Sequence, residues 1–295
     1  MTDPIIDTHH HLWRAAQVPW LNGPMQPRIF GDYSAICRDY LPQEYAADVQ
    51  PQGVVNSVYV QVNVAPGDEV NEVATLQSFG DAHGFPGGIV AYADLCDSAV
   101  SATLDQALAY TRVRGIRQQL HWHVNPLYCF AQRPDIMNDS AFRAGFKALA
   151  ARGLLFELQV FSSQMQDAAR LAADFPQVTF VLLHAGMLDD RSAKGWQRWR
   201  TGMRLLAACP NVVVKLSGLG TFLRACSVKA WKPVVEETLG FFAPTRCMFG
   251  SNFPIEKLWT SYAELVSVMK ACLTGLSAQD RRAVFHDNAA RIYRL

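Results

Sequence analysis

Short apolar segments alternate with longer amphipathic segments along most of the chain. The apolar segments have the length of β-strands and are rich in Val, Ile, Leu and Phe; after the first, which begins at Ile5, they cover residues 54–61, 87–93, 115–120, 154–159, 178–184, 212–217 and 247–252. The segments between them carry apolar residues at helical spacing, which predicts helices over residues 69–83, 98–111, 140–152, 164–174, 195–208, 230–241, 261–275 and 277–294. Near-continuous apolar strands that alternate with helices indicate a parallel sheet covered on both faces.

About eight such units within 295 residues predict a distorted (β/α)₈ TIM barrel of the α/β class, as a single domain over residues 1–295. A doubly wound open sheet is the alternative, but its first strand would normally lead into a glycine-rich phosphate-binding turn. Here the first strand ends in histidines. The stretch at about 14–40 contains several Pro and Gly residues with Trp20 and Phe30 among them. A long loop after a barrel strand lies on the catalytic face, so we expect it to cover an active site.

The composition excludes several classes of function. Lys and Arg total 27 against 26 Asp and Glu, a formal charge of +1, which gives no reason to expect nucleic-acid or membrane binding. The seven cysteines form no CxxC pair, and the N-terminus has no basic region followed by an apolar one. We therefore expect a cytoplasmic enzyme with reduced thiols that acts on a small molecule; a homo-oligomer is compatible with this sequence.

Histidines occur where predicted strands end, which is where barrel enzymes carry their chemistry. His9 and His11 point to one side of the first strand, because side chains alternate, and His184 ends the sixth strand. Three imidazoles with one open position are a common catalytic zinc arrangement, so these residues are also candidate ligands for one divalent metal. A buried His184 held only by backbone groups is the alternative.

Charged residues within the predicted strands are further candidates. Arg117 suits a clamp for a substrate carboxylate, or an internal ion pair with Glu157 or Asp94. Lys215 interrupts an apolar strand and predicts either a catalytic role or an ion pair. Candidate substrate contacts close to strand ends are His121, His123, Tyr128, Trp13 and Glu256.

Several motifs together resemble the amidohydrolase-related family and most closely its lactonase branch, which includes fuconolactone, rhamnonolactone, sulfomuconolactone and pyrone-dicarboxylate hydrolases. The motifs are Ile-Asp-Thr-His-x-His-x-Trp, Gly-Ile-Arg, His184-Ala-Gly, Val-Lys-Leu-Ser-Gly, Phe-Gly-Ser-x-x-Pro and the terminal run at 287–293. The resemblance implies a distorted barrel in which water attacks a lactone carbonyl near His9, His11 and His184. It also implies that Arg117 holds an acid group of the substrate. Some members of the family bind zinc or another divalent ion, and others work without metal.

The sequence departs from this family at Asn252, where the family usually has an aspartate that acts as general base. An amide cannot accept a proton from water. Either another group is the base, with Glu256, His184 and the first-strand histidines as candidates, or Asn252 orients water or substrate. The sequence thus predicts a hydrolase that opens a small sugar-acid or muconolactone-like lactone, with catalytic residues His9, His11, His184, Asn252 and Lys215. The alternatives are a lactone isomerase, a non-oxidative decarboxylase or a non-catalytic ligand-binding barrel.

Overall fold

Eight parallel strands, paired in chain order, form the centre of the protein in a computed structural model that describes residues 4–295. The strands are β1 (Ile5–His10), β2 (Val54–Val60), β3 (Gly88–Ala91), β4 (Val113–Ile116), β5 (Leu155–Leu158), β6 (Phe180–Leu182), β7 (Val212–Leu216) and β8 (Cys247–Phe249). Every neighbouring pair from β1–β2 to β7–β8 is parallel. This arrangement is the predicted (β/α)₈ barrel.

Helices follow the strands as the amphipathic pattern predicted. They are α1 (Pro19–Asn22), α2 (Pro42–Val49), α3 (Glu69–His83), α4 (Val100–Leu108), α5 (Ser140–Ala151), α6 (Met165–Asp174), α7 (Ala193–Ala207), α8 (Val228–Phe242), α9 (Tyr262–Cys272), α10 (Ala278–Arg282) and α11 (Asn288–Tyr293). The single helix predicted over 277–294 is divided, because a π-helical turn at Ala283–Asp287 separates α10 from α11. Within residues 4–295, no helix is both long enough and apolar enough to cross a membrane.

Two separate apolar layers surround the strands, as the alternation of side chains requires. The larger layer lies between the sheet and the helices. The smaller one fills the barrel interior and includes Ile6, Val60 and Val181, with Tyr293 of α11 packed against it. Above it, at the carboxyl ends of the strands, the inward-facing residues become polar. The barrel therefore has an apolar floor and a polar rim.

The stretch at about 14–40 is more ordered than the predicted irregular loop, because it contains α1 and two short 3₁₀ turns. Trp13 and Tyr40 close its base by exchanging backbone hydrogen bonds of 2.9 and 3.0 Å. The Trp20 indole donates to the Val62 carbonyl at 2.7 Å and packs edge-on against Trp13. Packed aromatic rings thus hold the loop over the rim of the barrel.

Asp7 joins the first strand to the segment that follows the last one. The backbone N–H and the hydroxyl of Ser251 donate to its two carboxylate oxygens at 2.8 and 2.6 Å. Tyr45 of α2 and Tyr262 of α9 donate their hydroxyls to the same group at 3.1 and 3.2 Å. Just above, Asn252 N donates to the His9 carbonyl at 2.7 Å. These bonds close the barrel between β1 and β8.

Replacing Asp7 by Asn should destabilise the protein. In the original protein the donors from Ser251, Tyr45 and Tyr262 share two carboxylate oxygens, whereas an Asn side chain offers them only one acceptor oxygen. We expect a loss of about 2–4 kcal/mol in the free energy of unfolding, measured by urea denaturation. Asp105→Asn is the matched control, since Asp105 is 64% exposed and pairs with Arg152 at 2.8 Å; its cost should stay below about 1 kcal/mol. Equal losses in the two variants would contradict a special role for Asp7.

Candidate active site

The three histidines expected to meet do meet at the carboxyl end of the barrel. The His9 ring centroid lies 5.1 Å from that of His11 and 4.7 Å from that of His184. His10, between the first two, points away from the barrel interior, where its Nε2 lies 2.9 Å from Ser57 Oγ and its ring stacks on Tyr45 at 4.0 Å. His9 and His11 therefore share one side of the strand and His10 lies on the other, as predicted. His184, which is more than 170 positions away in the sequence, joins the first-strand pair.

Hydrogen bonds define which ring nitrogens remain free. His11 Nδ1 lies 2.7 Å from the Val60 carbonyl, which can only accept, so Nδ1 carries the proton and Nε2 has the lone pair. His184 Nδ1 lies 2.9 Å from Ser217 Oγ, so this histidine is not held by backbone groups alone. Both ring nitrogens of the fully buried His9 lack a hydrogen-bond partner within residues 4–295. Each ring therefore keeps at least one nitrogen available.

All three imidazoles are held in the neutral form. Burial, assisted by the charges of Lys215 and Arg117, lowers the pKa of His9 and His184 well below the ordinary value. Burial and the Arg117 charge lower the pKa of His11 to about 3. A neutral imidazole can accept a proton, which an imidazolium cannot.

Glycines make room for two of these rings. A Cβ on Gly218 would lie 2.5 Å from His184 Nδ1, and one on Gly250 would lie 2.8 Å from the Cβ of His9. His184 itself has a φ of 54°, and the next residues through Met187 also have left-handed backbone. Such conformations are costly for residues other than glycine and often occur at functional sites. Glycine is therefore required in the Leu-Ser-Gly and Phe-Gly-Ser motifs, because a side chain at either position would clash with His184 or His9.

A cavity of about 180 Å³ opens in front of these histidines. His11, His184, Arg117 and Asn252 line its deep end, and aromatic side chains from the surrounding loops line its mouth. None of the lining residues drawn from residues 4–295 is an Asp or a Glu. The cavity is smaller than the roughly 300–1,000 Å³ of pockets for drug-sized molecules, so it suits a small ring.

Arg117 is buried without an anionic partner. Its guanidinium donates to the Gln61 carbonyl and, at 3.5 Å, to Gln159 Oε1, while its Nε has no partner among residues 4–295. The ion pair considered with Glu157 or Asp94 is absent from the part of the chain described, which contradicts that alternative. Burial lowers the pKa of Arg117 to about 10, so it remains charged at neutral pH. The cavity therefore contains a cation with unused donors.

Lys215 lies beneath the cavity and is not part of its wall. It is fully buried, forms an ion pair with Glu157 and donates to the Thr8 carbonyl. Tyr293 completes the group by donating its hydroxyl to Glu157 Oε1 at 2.6 Å. Burial lowers the pKa of Lys215 to about 8. In this position Lys215 acts on the histidines through its charge and makes no contact with the cavity.

The other predicted contact residues separate into two groups. Trp13 and His121 line the cavity, and both are almost fully buried. His123 and Tyr128 stand outside it as a contacting aromatic pair with ring centroids 5.3 Å apart. His123 Nε2 also lies 3.3 Å from Asp189 Oδ2. Only Trp13 and His121 of this set touch the space that a ligand would occupy.

Asn252 and Glu256 form the side of the site that follows β8. Asn252 has a φ of 58°, a backbone region that Asn tolerates better than most residues, and its side chain lines the cavity. Glu256 lies one turn later, fully buried behind the wall, where Trp259 donates to its Oε2 at 2.7 Å. Burial raises the pKa of Glu256 to about 8. A carboxyl group that holds its proton at neutral pH is a poor candidate for a general base.

The donor set does not fit a divalent cation. No group of three or more His, Cys, Asp or Glu side chains in residues 4–295 is arranged to hold a metal ion. The rings of His9, His11 and His184 are close, but no carboxylate joins them. Arg117 and Lys215 disfavour positive charge on these same imidazoles. The charges of Arg117 and Lys215, which assist burial in keeping the histidines neutral, would also repel a bound dication.

Sequence reasoning missed Arg28 and gave no role to Phe222, which also lines the cavity. Arg28 stands in a loop rich in Pro and Gly, where a cation usually faces solvent. The only signal for it was the presence of Trp20 and Phe30 in the same loop, because aromatic residues in an active-site loop indicate a covered cavity.

Comparison with known proteins places this geometry in context. Residues 6–295 match the protein family described as Amidohydrolase. The uncharacterised protein y4mH of Sinorhizobium fredii is 40% identical over 293 residues, which are 99% of this chain and 98% of that protein. The L-fucono-1,5-lactonase of Burkholderia multivorans is 31% identical over 98% of this chain and 96% of its own. A crystal structure of an amidohydrolase from Burkholderia multivorans with bound zinc has a TM-score of 0.82 at 30% identity and covers 99% of both chains.

Glu256 should make the stability of the protein depend on pH. Between the ordinary pKa of 4.5 and the folded value of about 8, the folded chain holds a proton that the unfolded chain releases. The contribution of protonated Glu256 to the stability of the protein is therefore complete below about pH 4.5, and it is lost as the pH rises through the folded pKa of about 8. Glu256→Gln mimics the protonated form, so we expect it to gain stability relative to the original protein as the pH rises from 5 to 8, by on the order of a few kcal/mol.

Thermal unfolding at several pH values between 5 and 8 measures this effect. Glu236→Gln is the control, because Glu236 is exposed on α8 and makes only a 3.6 Å pair with Lys232. Its unfolding curve should follow that of the original protein at each pH. If the unfolding temperature of Glu256→Gln showed the same pH dependence as that of the original protein, Glu256 would not be protonated in the folded state.

Proposed function

Since the chain belongs to the amidohydrolase family, we propose that it hydrolyses a small lactone by attack of water on the ring carbonyl. The observation that carries the proposal is a small cavity lined by neutral imidazoles and by a buried guanidinium that lacks an anionic partner. These groups provide a proton acceptor and a stabiliser of negative charge, which are the two functions that ester hydrolysis requires. The similarity to the L-fucono-1,5-lactonase supports the same reaction.

In the proposed reaction, His11 accepts the proton of water through Nε2. Its Nδ1 donates to the Val60 carbonyl, so the tautomer needed for this task is present before substrate binds. The Asn252 amide, also in the cavity wall, orients the water. As oxygen attacks the carbonyl carbon, negative charge develops on the carbonyl oxygen near Arg117. Burial and the field of Arg117 together lower the pKa of His11, and the developing charge offsets the Arg117 part, so the base becomes stronger as the transition state forms.

His184 then serves the leaving oxygen. When the tetrahedral intermediate collapses, the ring C–O bond breaks, and the released alkoxide, held by a hydrogen bond from His184, takes the proton that His11 accepted from water, so that both imidazoles are neutral again. The product is a hydroxy acid with the atoms of the lactone and one water. Ser217 Oγ, 2.9 Å from His184 Nδ1, orients this ring with its other nitrogen available to the substrate. His9 supports both rings from beneath.

The role of Lys215 in this proposal is indirect. Its ion pair with Glu157 keeps a positive charge below the histidines, which favours their neutral forms and the developing oxyanion. Of the two roles that the sequence left open for Lys215, its position supports the ion pair and gives no support for direct contact with a substrate.

A screen of aldonolactones and muconolactone-like compounds tests the proposal. Acid release is followed with a pH indicator, and the product mass must equal that of the substrate plus one water. We expect His11→Gln to lower kcat by roughly 10²–10⁴-fold, as for loss of a general base. His10→Gln is the matched control from the same strand, since its ring faces away from the cavity.

Circular dichroism should first confirm that both variants are folded. An unchanged product mass would indicate isomerisation, and loss of carbon dioxide would indicate decarboxylation. Binding without any turnover would support a ligand-binding barrel, which the replacement of an acid by Asn252 makes the relevant alternative. Full activity in His11→Gln would overturn its assignment as the base.

Metal removal provides a separate test. Because the donor set does not fit a dication, we expect protein purified without chelator to contain zinc well below one ion per chain. Activity should persist in the presence of a chelator and should not rise on addition of zinc. Stoichiometric zinc, with activity that is lost on chelation and restored by the metal, would contradict this expectation.

A further inference from the structure

A second unpaired guanidinium belongs to the cavity that Arg117 lines. Arg28, in the loop between β1 and α2, contributes to the wall of this cavity. Its Nε is buried, and within residues 4–295 no group accepts a hydrogen bond from it. A buried donor without a partner costs free energy, unless a bound molecule supplies the acceptor.

An unpartnered buried Nε also occurs at Arg117 and Arg191, but each of these arginines donates through another nitrogen to a backbone carbonyl. Arg38, ten residues further along the same loop, forms an ion pair with Glu44 at 2.6 Å. Arg200 forms one with Glu237 at 2.5 Å. Arg28 has no such pair among residues 4–295, although the chain contains almost as many acidic as basic residues. Several arginines outside the cavity also lack an ion pair, so what distinguishes Arg28 from Arg117 and Arg191 is that no hydrogen bond joins its guanidinium to any group of residues 4–295.

The guanidinium of Arg28 is held in place by the ring of Trp20. It lies 5.3 Å from the centroid of the Trp20 ring, a cation–π distance. Trp20 is itself fixed by the bond from its indole to the Val62 carbonyl and by edge contacts with Trp13 and Tyr33, both with ring centroids 5.6 Å away. This contact positions the guanidinium and leaves its N–H groups available for an acceptor.

The positive charge of the cavity lining also favours an anionic ligand. Two guanidinium groups line it, and no Asp or Glu from the described residues does. A third, Arg224, packs against the same loop, because a Cβ on Gly31 would lie 2.6 Å from its Cζ. A neutral ligand would leave this positive charge uncompensated in a partly desolvated space. An anionic ligand would be attracted into it.

We propose that Arg28 is a specificity residue that binds a carboxylate substituent of the lactone, while Arg117 serves the reacting carbonyl. This inference rests on the proposed function and extends it: the substrate is a small lactone that carries a carboxylate, and hydrolysis yields a hydroxy dicarboxylate. The substrate class therefore differs from an uncharged sugar lactone. Arg28 has the planar pair of donors that suits a carboxylate.

The test compares two six-membered lactones, one with a ring carboxylate and one with a hydroxymethyl group in its place. We expect Arg28→Gln to lower kcat/KM for the carboxylated lactone by about 10- to 100-fold, the usual range for loss of a hydrogen bond to a charged group. For the uncharged lactone the change should stay within about threefold. Arg28→Lys should recover part of the lost activity, because it restores the charge without the planar donors.

Arg14→Gln is the matched control. Arg14 stands on the same loop, also lies over an aromatic ring, that of Phe79 at 6.0 Å, and does not line this cavity. It should leave kcat/KM for both lactones unchanged. Equal losses on both lactones in Arg28→Gln would show that Arg28 only supports the loop and would overturn the proposal. A preference of the original protein for the uncharged lactone would overturn it as well.

A binding measurement separates failure of this inference from failure of the proposed function. Tetrahydropyran-2-carboxylate is a six-membered cyclic ether that cannot be hydrolysed, so calorimetric titration reports binding alone. If neither lactone is turned over, the proposed hydrolysis fails, but weaker binding of this compound to Arg28→Gln than to Arg14→Gln would still support the anion site. Equal binding to the two variants would overturn it.

Discussion

The hydrogen bonds accepted by Asp7 are the constraint on which the site depends. They join the first strand to the segment after the last strand, and they bring in a hydroxyl from each of two helices. Directly above this carboxylate, the backbone of His9 accepts from that of Asn252. The distance between the two ends of the catalytic rim is therefore set by a buried group that never touches the cavity. A barrel that closes in this way holds side chains from distant parts of the chain within reach of one small molecule.

Electrostatics then give the site its chemical character. Two buried cations of different kinds act on the imidazoles: Lys215 is paired with Glu157, whereas Arg117 has no anionic partner in the described chain. The first cation is part of the barrel interior and the second is open to the cavity. Neutral histidines and an available guanidinium form an environment that favours negative charge on a ligand. The same environment explains why an asparagine is compatible with this rim and why the donor set suits an oxyanion better than a dication.

The covering loop contributes aromatic residues and a further charge to the wall of this cavity. Its aromatic residues pack on one another, and Trp20 is anchored to the backbone that follows β2. Arg28 lies over that anchored ring, so the cavity is lined by one charge from the loop and by another, Arg117, from the barrel. In the proposed function, side chains at the strand ends carry out the reaction, and the loop contributes the residues that distinguish substrates. This division is typical of folds in which loops vary on a rigid scaffold.

The sequence by itself determined the barrel, the order of its strands and the meeting of His9, His11 and His184, because alternation within a strand and the direction of parallel strands are local rules. It predicted α3 to the residue, and it singled out Arg117 and Lys215 as charges within strands that serve either a site or an ion pair. Only the tertiary structure decided what these charges do. Glu157 could serve either cation, and packing assigned it to Lys215, leaving Arg117 for a ligand. The protonated state of Glu256 and the orientation of Arg28 depend likewise on burial and on partners remote in the chain, which no local pattern encodes.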